Sequence, residues 1–273
     1  MQQLANALPS AVPTTNTMPL TPLHRLDTCP ACGGLGIIGW KTPRHYPLSE
    51  VKFCDCAYGD FAKAAEHAKA AKVQQERLKQ AFTRAGIPAH FHGLTIDTLA
   101  AVAGDDAEKA KAIEVARAMV EQGMYQGKTG VFLFGSYGCG KTGVLTPVLR
   151  HWLDQGHSGL WIEFYDFCEE IQSKYGKGDE ASQAMDLVRS VDWLMMDDIG
   201  DTARKEPETD DKRKLLYQIV NHRHNHVRPM LITSNLGPDQ FAAQFGARTF
   251  ERIVECCAVV RIAGRNLRRP GSK

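Results

Sequence analysis

The sequence predicts an α/β protein with a five-stranded parallel sheet, preceded by a small metal-binding module. Five short apolar segments alternate with helical stretches after residue 130, and buried strands joined by helical crossovers form parallel sheets. A glycine-rich loop follows the first of these segments, and two cysteine pairs lie near the N-terminus. No stretch approaches the roughly 18 apolar residues of a membrane span, so a membrane protein is excluded.

Composition divides the 273 residues further. Residues 1–26 are rich in Pro and Thr and contain no acid, which predicts a disordered leader. They lack the apolar core of a secretion signal, so we expect a cytoplasmic protein in which cysteines are not paired as disulfides. Residues 265–273 form a basic tail, which fits either nucleic-acid binding or a solubilising terminus.

Residues 27–57 have the spacing of a zinc ribbon. Two thiol pairs with knuckle spacing suit a closed tetrahedral Zn²⁺ site, and they are supplied by Cys29, Cys32, Cys54 and Cys56. Short strands are expected at 37–40 and 51–53. His45 could replace one thiolate, but its position in the middle of a loop makes this the less favoured reading.

The other four cysteines are scattered. We expect Cys168, Cys256 and Cys257 to act as small buried apolar residues. Cys139 lies inside the glycine-rich loop, where oxidation could block a ligand, although a permissive loop position is the favoured interpretation.

A long helix is predicted from Asp60 to Arg84, because this stretch is dense in Ala, Lys, Gln and Glu and has no Gly or Pro. We interpret 58–86 as a linker helix and 87–264 as the core domain. A second helix is expected from Asp105 to Gln122.

The glycine-rich loop matches the phosphate-binding pattern G-x-x-x-x-G-K-T. Its backbone N–H groups and the N-terminus of the following helix would bind the phosphates of ATP. Lys141 would reach the β- and γ-phosphates, and the Thr142 hydroxyl would ligate Mg²⁺. The predicted nucleotide-binding residues are Gly135, Ser136, Tyr137, Gly138, Cys139, Gly140, Lys141, Thr142 and Gly143. Pro147 should kink the helix that follows.

Polar residues end two further strands of the predicted sheet. Asp197 and Asp198 follow an apolar strand, and we assign the first to Mg²⁺ and the second to the attacking water. Asn235 could position that water, or it could cap the helix that starts near Pro238. The five strands are predicted at Val131–Phe134, Leu160–Phe164, Trp193–Met196, Met230–Thr233 and Ala258–Ile262.

Several motifs in order resemble the AAA+ ATPases, and within them the DnaC/DnaI-like helicase loaders and the related IstB-like transposition ATPases. The resemblance covers roughly residues 77 to 268. Besides the loop at 135–142, it is carried by residues 84–88, 192–200, 221–223, 232–236, 251–253 and 259–264.

This resemblance implies ATP binding and slow hydrolysis at a site between subunits, with Asn235 as a sensor. Arg252 would be donated to the neighbouring subunit's γ-phosphate, and Arg223 is the alternative donor. Asp198 stands where many members have Glu, which favours slow turnover. Only eleven residues follow Ile262, too few for the helical lid found in many members.

Two helical segments are expected within Asp166–Ser190, where initiator-like members insert a helix that helps to line a DNA channel. Lys174, Tyr175 and Lys177 lie between them and could contact single-stranded DNA by charge and stacking. A solvated loop is an equally good interpretation. A metal site at His222, His224 and His226 is rejected, because only two of the three share a helix face.

The expected function is ATP-dependent loading of a hexameric replicative helicase in a bacterium or phage, with ATP, Mg²⁺ and Zn²⁺ as cofactors. Single-stranded DNA and further copies of the chain are the other expected partners. The zinc module favours this over a helper of DNA transposition. A nucleotide-gated adaptor, in which Asp198 is inert, is an alternative from another class, and a metabolic kinase is the least favoured.

Overall fold

The computed structural model describes residues 29–39, 52–103, 106–175, 179–200 and 209–263. The predicted leader 1–26, the basic tail 265–273, His45 and Lys177 lie outside these residues. The described residues form two compact units, one within Pro9–Lys79 and one from Gln80 onward. We refer to them as the cysteine unit and the core unit.

The cysteine unit contains two short antiparallel strands and most of a long helix. Strand β1 is Ile37–Gly39, strand β2 is Lys52–Phe53, and helix α1 is Ala57–Arg84. A β-carbon on Gly59 would lie 1.6 Å from the Cys54 carbonyl oxygen, and one on Gly36 would lie 2.2 Å from the Tyr58 carbonyl oxygen. The start of α1 therefore packs directly against the backbone of both cysteine-bearing segments, and the helix begins three residues earlier than predicted.

The core unit opens with helical segments. A 3₁₀ turn at Ala89–Phe91 precedes helix α2, Ile96–Ala103, and helix α3, Ala107–Gln122. Helix α3 was predicted and α2 was not. The Asp106 side chain caps α3 by accepting hydrogen bonds from the N–H groups of Glu108 and Lys109, which is the usual role of Asp at this position.

The five-stranded sheet is confirmed, and all its strand pairs are parallel. Its order is β4-β5-β6-β3-β7. The strands are β3 Gly130–Phe134, β4 Gly159–Glu163, β5 Trp193–Ile199, β6 Met230–Ser234 and β7 Cys257–Arg261.

The ends of all five strands differ from the predictions, by one residue in four of them and by three in β5. Phe164 was assigned to β4 but begins the next helix, since its apolar side chain is fully buried there as well. Strand β5 runs past Met196 to Ile199, because Asp197 pairs with Glu163 of β4 and Ile199 pairs with Ser234 of β6.

Helices connect the strands, and Phe132 lies at the centre of the apolar core between them. The Phe132 ring contacts Phe241 and Phe250 edge-on at centroid distances of 5.0 and 5.6 Å. Pro147 is buried within α4, which continues through it. The helices are α4 Lys141–Asp154, α5 Phe164–Lys174, α6 Glu180–Ser190, α7 Asp210–Asn225, α8 Pro238–Phe245 and α9 Ala247–Cys256.

The segment after α1 lies against the edge strand β4. The Ala85 carbonyl accepts a hydrogen bond from the Trp161 N–H at 2.7 Å. Gly86 has φ +75°, and a β-carbon on it would lie 2.9 Å from the Trp161 carbonyl oxygen, so this close approach requires glycine. None of the described helices combines the length and apolar character needed to cross a membrane.

Candidate functional site

The carboxyl ends of β3, β5 and β6 meet at one edge of the sheet, because these strands are parallel and adjacent in the order β5-β6-β3. The loop 135–140 leaves β3 there and leads into α4. This edge is where open α/β sheets bind ligands. The topology therefore brings the loop, the Asp197–Asp198 pair and Asn235 together.

Two positions of the loop require glycine, Gly135 because a side chain would have no room and Gly140 because its backbone conformation disfavours one. A β-carbon on Gly135 would lie 1.8 Å from the Ile262 carbonyl oxygen, and Gly140, which precedes α4, has φ +105°. The Ile262 N–H in turn donates to the Phe134 carbonyl at 2.8 Å. The residue after β7 thus packs against the base of the loop and holds its shape.

Lys141 is buried inside the loop. Its Nζ donates to the carbonyl oxygens of Gly135 and Ser136 at 3.0 and 2.9 Å and to the Asn235 Oδ1 at 2.6 Å. These acceptors hold the ammonium group where an anion bound by the loop would meet it. A charged side chain buried in a glycine-rich loop fits a phosphate ligand.

Asp197 lies at the centre of a hydroxyl network. Its Oδ1 accepts hydrogen bonds from the Thr142 hydroxyl at 3.0 Å and the Thr233 hydroxyl at 2.5 Å. Burial, together with the neighbouring charge of Asp198, raises the pKa of the Asp197 carboxyl to about 7. A buried carboxylate beside a hydroxyl is a suitable oxygen donor set for Mg²⁺, so these residues fit the ion.

Asp198 has a left-handed backbone with φ +53°. The pairing of β5 with β6 shifts register between Met196 and Ile199, and such a bulge breaks the alternation of side chains along the strand. The Asp198 N–H donates to the Thr233 hydroxyl oxygen at 2.9 Å. Asp tolerates this conformation better than most residues, which accounts for its place at the bulge.

Asn235 contacts the loop rather than capping α8. The N-cap position of α8 is Gly237, while the Asn235 Oδ1 accepts from Lys141. The Asn235 Nδ2 is buried with no hydrogen-bond partner among the described residues. An unpaired buried donor is unfavourable, and beside a phosphate-binding loop it fits an anionic oxygen.

Arg223 and Arg252 have different surroundings. Arg223 is fully buried, and its Nη atoms donate to the carbonyls of Val188, Val191, Asp192 and Pro229 at 2.7–3.0 Å. Burial lowers its pKa to about 9. Arg223 therefore joins the chain segments that precede β5 and β6, and its guanidinium is not presented at the surface of the single chain.

Arg252 is partly exposed on α9 and contacts α7. Its Nη1 lies 3.1 Å from the His224 Nδ1 and 3.3 Å from the Asn225 Oδ1. Its guanidinium lies over the Tyr217 ring at 6.0 Å. The arginine is thus held at the surface between two helices.

The predicted DNA contacts are described in part. Lys174 ends α5 and forms an ion pair with Glu170 at 2.5 Å. This hydrogen bond raises the Lys174 pKa. Tyr175 follows it and is exposed.

The cysteine unit brings the four predicted thiols together. Their Sγ atoms all lie within 4.8 Å of one another, with 3.7 Å between Cys29 and Cys54 and between Cys32 and Cys56. A tetrahedral zinc with Zn–S bonds of about 2.3 Å separates its sulfurs by about 3.8 Å. The cluster therefore has the dimensions of a Zn²⁺ site and is too wide for disulfides.

Backbone N–H groups supply part of the charge stabilisation at this cluster. Hydrogen bonds from Ala31 and Cys32 lower the Cys29 pKa to about 7, whereas burial and the neighbouring thiols raise the Cys54 pKa to about 12. Burial and the neighbouring thiols thus oppose ionisation of Cys54, and a bound cation would offset this. Among the described residues this is the only such cluster of metal-ligating side chains, and His222 and His226 stack on each other at 4.1 Å instead.

The remaining cysteines lie in the core unit. Cys139, Cys168 and Cys257 are buried. Cys256, which ends α9, is only partly buried but packs against the apolar core, so its prediction as a small buried apolar residue holds in part.

Thr233 is the site residue that sequence reasoning missed. It links Asp197 to Asp198 through one hydroxyl, and the available signal was a hydroxyl residue at the end of an apolar strand next to the one carrying the aspartates. His224 and its contact with Arg252 were also missed, because contacts between helices cannot be read from spacing.

Comparison with known proteins agrees with this geometry. The Replicative helicase loader DnaI of Bacillus subtilis (strain 168) is 25% identical over 153 residues, covering 52% of this chain and 48% of the relative. The Replicative helicase loader DnaC of Escherichia coli (strain K12) is 26% identical over 144 residues, covering 52% of this chain and 56% of the relative. The matched region thus spans about half the length of each relative.

The fold is shared with a solved helicase loader. The crystal structure of the DnaC helicase loader superposes with a TM-score of 0.56 at 21% identity, covering 64% of this chain and all of that one. The AAA+ fold predicted from the sequence is therefore confirmed. The profile of the IstB-like ATP binding protein family matches residues 66–273, more than half of the chain, and the chain therefore belongs to that family.

Proposed function

We propose that this protein is an ATP-dependent loader of a replicative DNA helicase. The observation that carries the proposal is the pair of side-chain hydrogen bonds at the loop, Lys141 to Asn235 and Thr142 to Asp197, which would suit a nucleoside triphosphate with Mg²⁺. The choice of a loader within the family is supported by the two relatives, which are named as replicative helicase loaders.

Residues of the loop 135–143 would hold the phosphates of ATP, with Lys141 exchanging its carbonyl partners for phosphate oxygens. Thr142 and Asp197 would hold Mg²⁺, which when bound neutralises charge on the phosphates. Asp198 would orient the attacking water or accept its proton, and the free Nδ2 of Asn235 would donate to an oxygen of the transferred phosphoryl group.

Arg252 would act on the ATP site of a neighbouring copy. It is partly exposed, and its contacts with His224 and Asn225 hold it at the surface. Self-association through the ATPase domain, 87–264, is part of the proposal. Lys174, Tyr175 and Lys177 would contact single-stranded DNA, and the exposed ring of Tyr175 is suited to stacking on a base.

The zinc module, 27–57, and the linker helix, 58–86, would engage the hexameric helicase. Cys29, Cys32, Cys54 and Cys56 would hold a structural Zn²⁺, since all four positions of a tetrahedral site would be filled by thiolates. Such an ion stabilises a small unit and does no chemistry itself.

A helper ATPase of DNA transposition is the second candidate, because the family that matches is described as IstB-like. The two functions share the ATP site and differ in the partner. Co-purification of the full chain with a replicative helicase supports the first, and co-purification with a transposase supports the second.

ATP hydrolysis by the full chain, with and without single-stranded DNA, tests the proposal. We expect Lys141→Ala to lose ATP binding and Asp198→Asn to bind ATP while hydrolysis falls by about 100-fold or more. Lys111→Ala is the control, since Lys111 forms only an exposed pair with Glu114 and Tyr125.

ATP binding without turnover in the wild type, under any condition, would overturn the catalytic assignment of Asp198. That result would instead support the nucleotide-gated adaptor.

A further inference from the structure

The contact between Arg252 and His224 fixes the protonation of the histidine ring. Arginine donates hydrogen bonds and cannot accept them. The Arg252 Nη1 lies 3.1 Å from the His224 Nδ1, and a hydrogen bond between them requires that ring nitrogen to be the acceptor. The proton of the neutral ring is therefore on Nε2.

The other ring nitrogen has a matching partner. The His224 Nε2 lies 2.5 Å from the Glu255 Oε2, and a carboxylate accepts the Nε2–H. Glu255 thus selects the tautomer in which Nδ1 is available to Arg252, as an outer partner does for a metal-bound histidine. Glu255 and Arg252 are three residues apart on α9, and His224 lies on α7.

Asn225 supplies a second acceptor at the same place. Its Oδ1 lies 3.3 Å from the Arg252 Nη1 and accepts a hydrogen bond from it. Tyr217 lies about two helical turns earlier on α7, and its ring contacts the guanidinium of Arg252. The end of α7 therefore restricts Arg252 on two sides.

A further guanidinium nitrogen, the Nε, is unused in these contacts. The Arg252 Nε is buried with no hydrogen-bond partner among the described residues. A donor that is oriented but unpaired in the single chain is unfavourable there and gains a partner when an anion approaches.

We propose that His224, oriented by Glu255, is the positioning residue that holds Arg252 for its action on a neighbouring copy's ATP site. This inference rests on the proposed function and deepens it. The property that matters is the hydrogen-bond acceptor at Nδ1. A side chain with an acceptor at the same distance from the backbone should therefore substitute for the histidine without loss of activity, whereas a cationic side chain should not.

Three variants test the acceptor. Asn places its Oδ1 close to the position of the His Nδ1, Ala removes the acceptor, and Lys replaces it with a donor. We expect His224→Ala and His224→Lys to lower the turnover number for ATP on the order of 10-fold or more, since a misplaced catalytic group has effects of this size. His224→Asn should stay within about threefold of the wild type.

ATP affinity separates positioning from damage to the fold. The ATP site of each variant subunit is intact, so its Kd for a fluorescent ATP analogue should be unchanged while turnover falls. His226→Ala is the matched control, because His226 lies just after α7 and bonds the His222 carbonyl rather than Arg252.

Mixed assemblies give the decisive measurement. A His224→Ala subunit has a working ATP site, and a Lys141→Ala subunit has a working Arg252. Mixing the two should restore hydrolysis above the sum of the separate preparations, because active interfaces form between unlike subunits. Adding His224→Ala to Arg252→Ala should lower turnover no further than Arg252→Ala alone.

The outcomes distinguish the two proposals. If Arg252→Ala loses turnover but His224→Ala does not, or if the mixture gains nothing, the positioning role is wrong and the proposed function stands. If Arg252→Ala hydrolyses ATP like the wild type, the role of Arg252 in trans is wrong and the inference about His224 is overturned with it.

Discussion

The cysteine unit and the core unit place their polar groups in opposite ways. In the cysteine unit the thiols are the interior, and Cys32 and Cys54 are buried against glycines and backbone. In the core unit the interior is apolar, and the buried charges of Lys141, Asp197 and Arg223 each lie among hydrogen-bond partners. The first unit is therefore expected to need a bound cation to hold it together, whereas the second is held together by its sheet.

In the core unit the groups that stabilise the fold differ from those that would bind the ligand, whereas in the cysteine unit they are the same groups. The core unit can fold before it meets ATP, because large apolar side chains such as Phe132, Phe164 and Phe241 are fully buried around the sheet. The cysteine unit is too small for such a core. Its fold and its metal are expected to appear and disappear together.

The largest expected effect is removal of the metal from the cysteine unit. Structural zinc contributes about 10–16 kcal/mol of apparent binding free energy in small modules. We expect Cys54→Ser, or a strong chelator, to release about one Zn²⁺ per chain and to make residues near β1 and β2 sensitive to protease. Zinc release measured with a colorimetric chelator, together with limited proteolysis, checks this.

The core unit should not respond to that change. Its unfolding midpoint in urea and its affinity for ATP are expected to stay at the wild-type values in Cys54→Ser. Asp55→Asn is the control, because Asp55 lies between two of the cysteines and is exposed. Loss of ATP binding together with zinc would mean that the two units are not independent.

The second effect concerns the buried arginine of the core unit. Arg223→Met keeps much of the volume but removes the donor of four carbonyl groups. Those of Val191 and Pro229 keep a second donor, and those of Val188 and Asp192 lose theirs. Since a buried acceptor left unpaired costs about 1–3 kcal/mol, the expected loss is roughly 2–6 kcal/mol. Urea unfolding of the core unit should show this loss with zinc content unchanged.

Arg213→Met is the matched control for this substitution. It lies on the same helix, α7, and forms only an exposed pair with Asp210, which contributes little. A loss below about 1 kcal/mol in Arg223→Met would show that water replaces the guanidinium and that the four bonds do not hold the sheet.

Much of the fold and of the site could be predicted because the signals are local. The loop at 135–142, the acidic end of β5 and the two cysteine pairs each lie within a few residues of sequence, and the parallel topology brings the first two together. Strand existence was predicted correctly for the same reason, since each strand is a continuous apolar run.

The details that sequence reasoning missed depend on contacts between distant segments. Nothing near Arg223 in the sequence indicates that its partners are the carbonyls of Val188, Val191, Asp192 and Pro229. The sequence therefore leaves it as the alternative trans-acting arginine. The bulge at Asp198 depends on the register between β5 and β6, and the tautomer of His224 depends on α9.

The smallest effect concerns Asp197, where the core unit resembles the cysteine unit. The negative charge of this buried carboxylate is unfavourable without a bound cation. The pKa of Asp197 is about 7 in the folded protein and 3.8 in the reference state. The folded state therefore binds the extra proton between these values, and stability falls as pH rises from about 4 to about 7. Above about pH 7 the loss is complete.

Asp197→Asn removes this dependence and keeps an oxygen acceptor for the hydroxyls of Thr142 and Thr233. Without nucleotide, its stability advantage over the wild type should grow by roughly 2–3 kcal/mol between pH 5 and pH 8, at about 1.4 kcal/mol per pH unit up to pH 7. Urea unfolding at the two pH values measures this difference in stability. Asp239→Asn is the control, because Asp239 is an exposed residue of α8. An advantage that is equal at both values would mean that Asp197 is ionised throughout, and that its hydroxyl partners stabilise the charge without a metal.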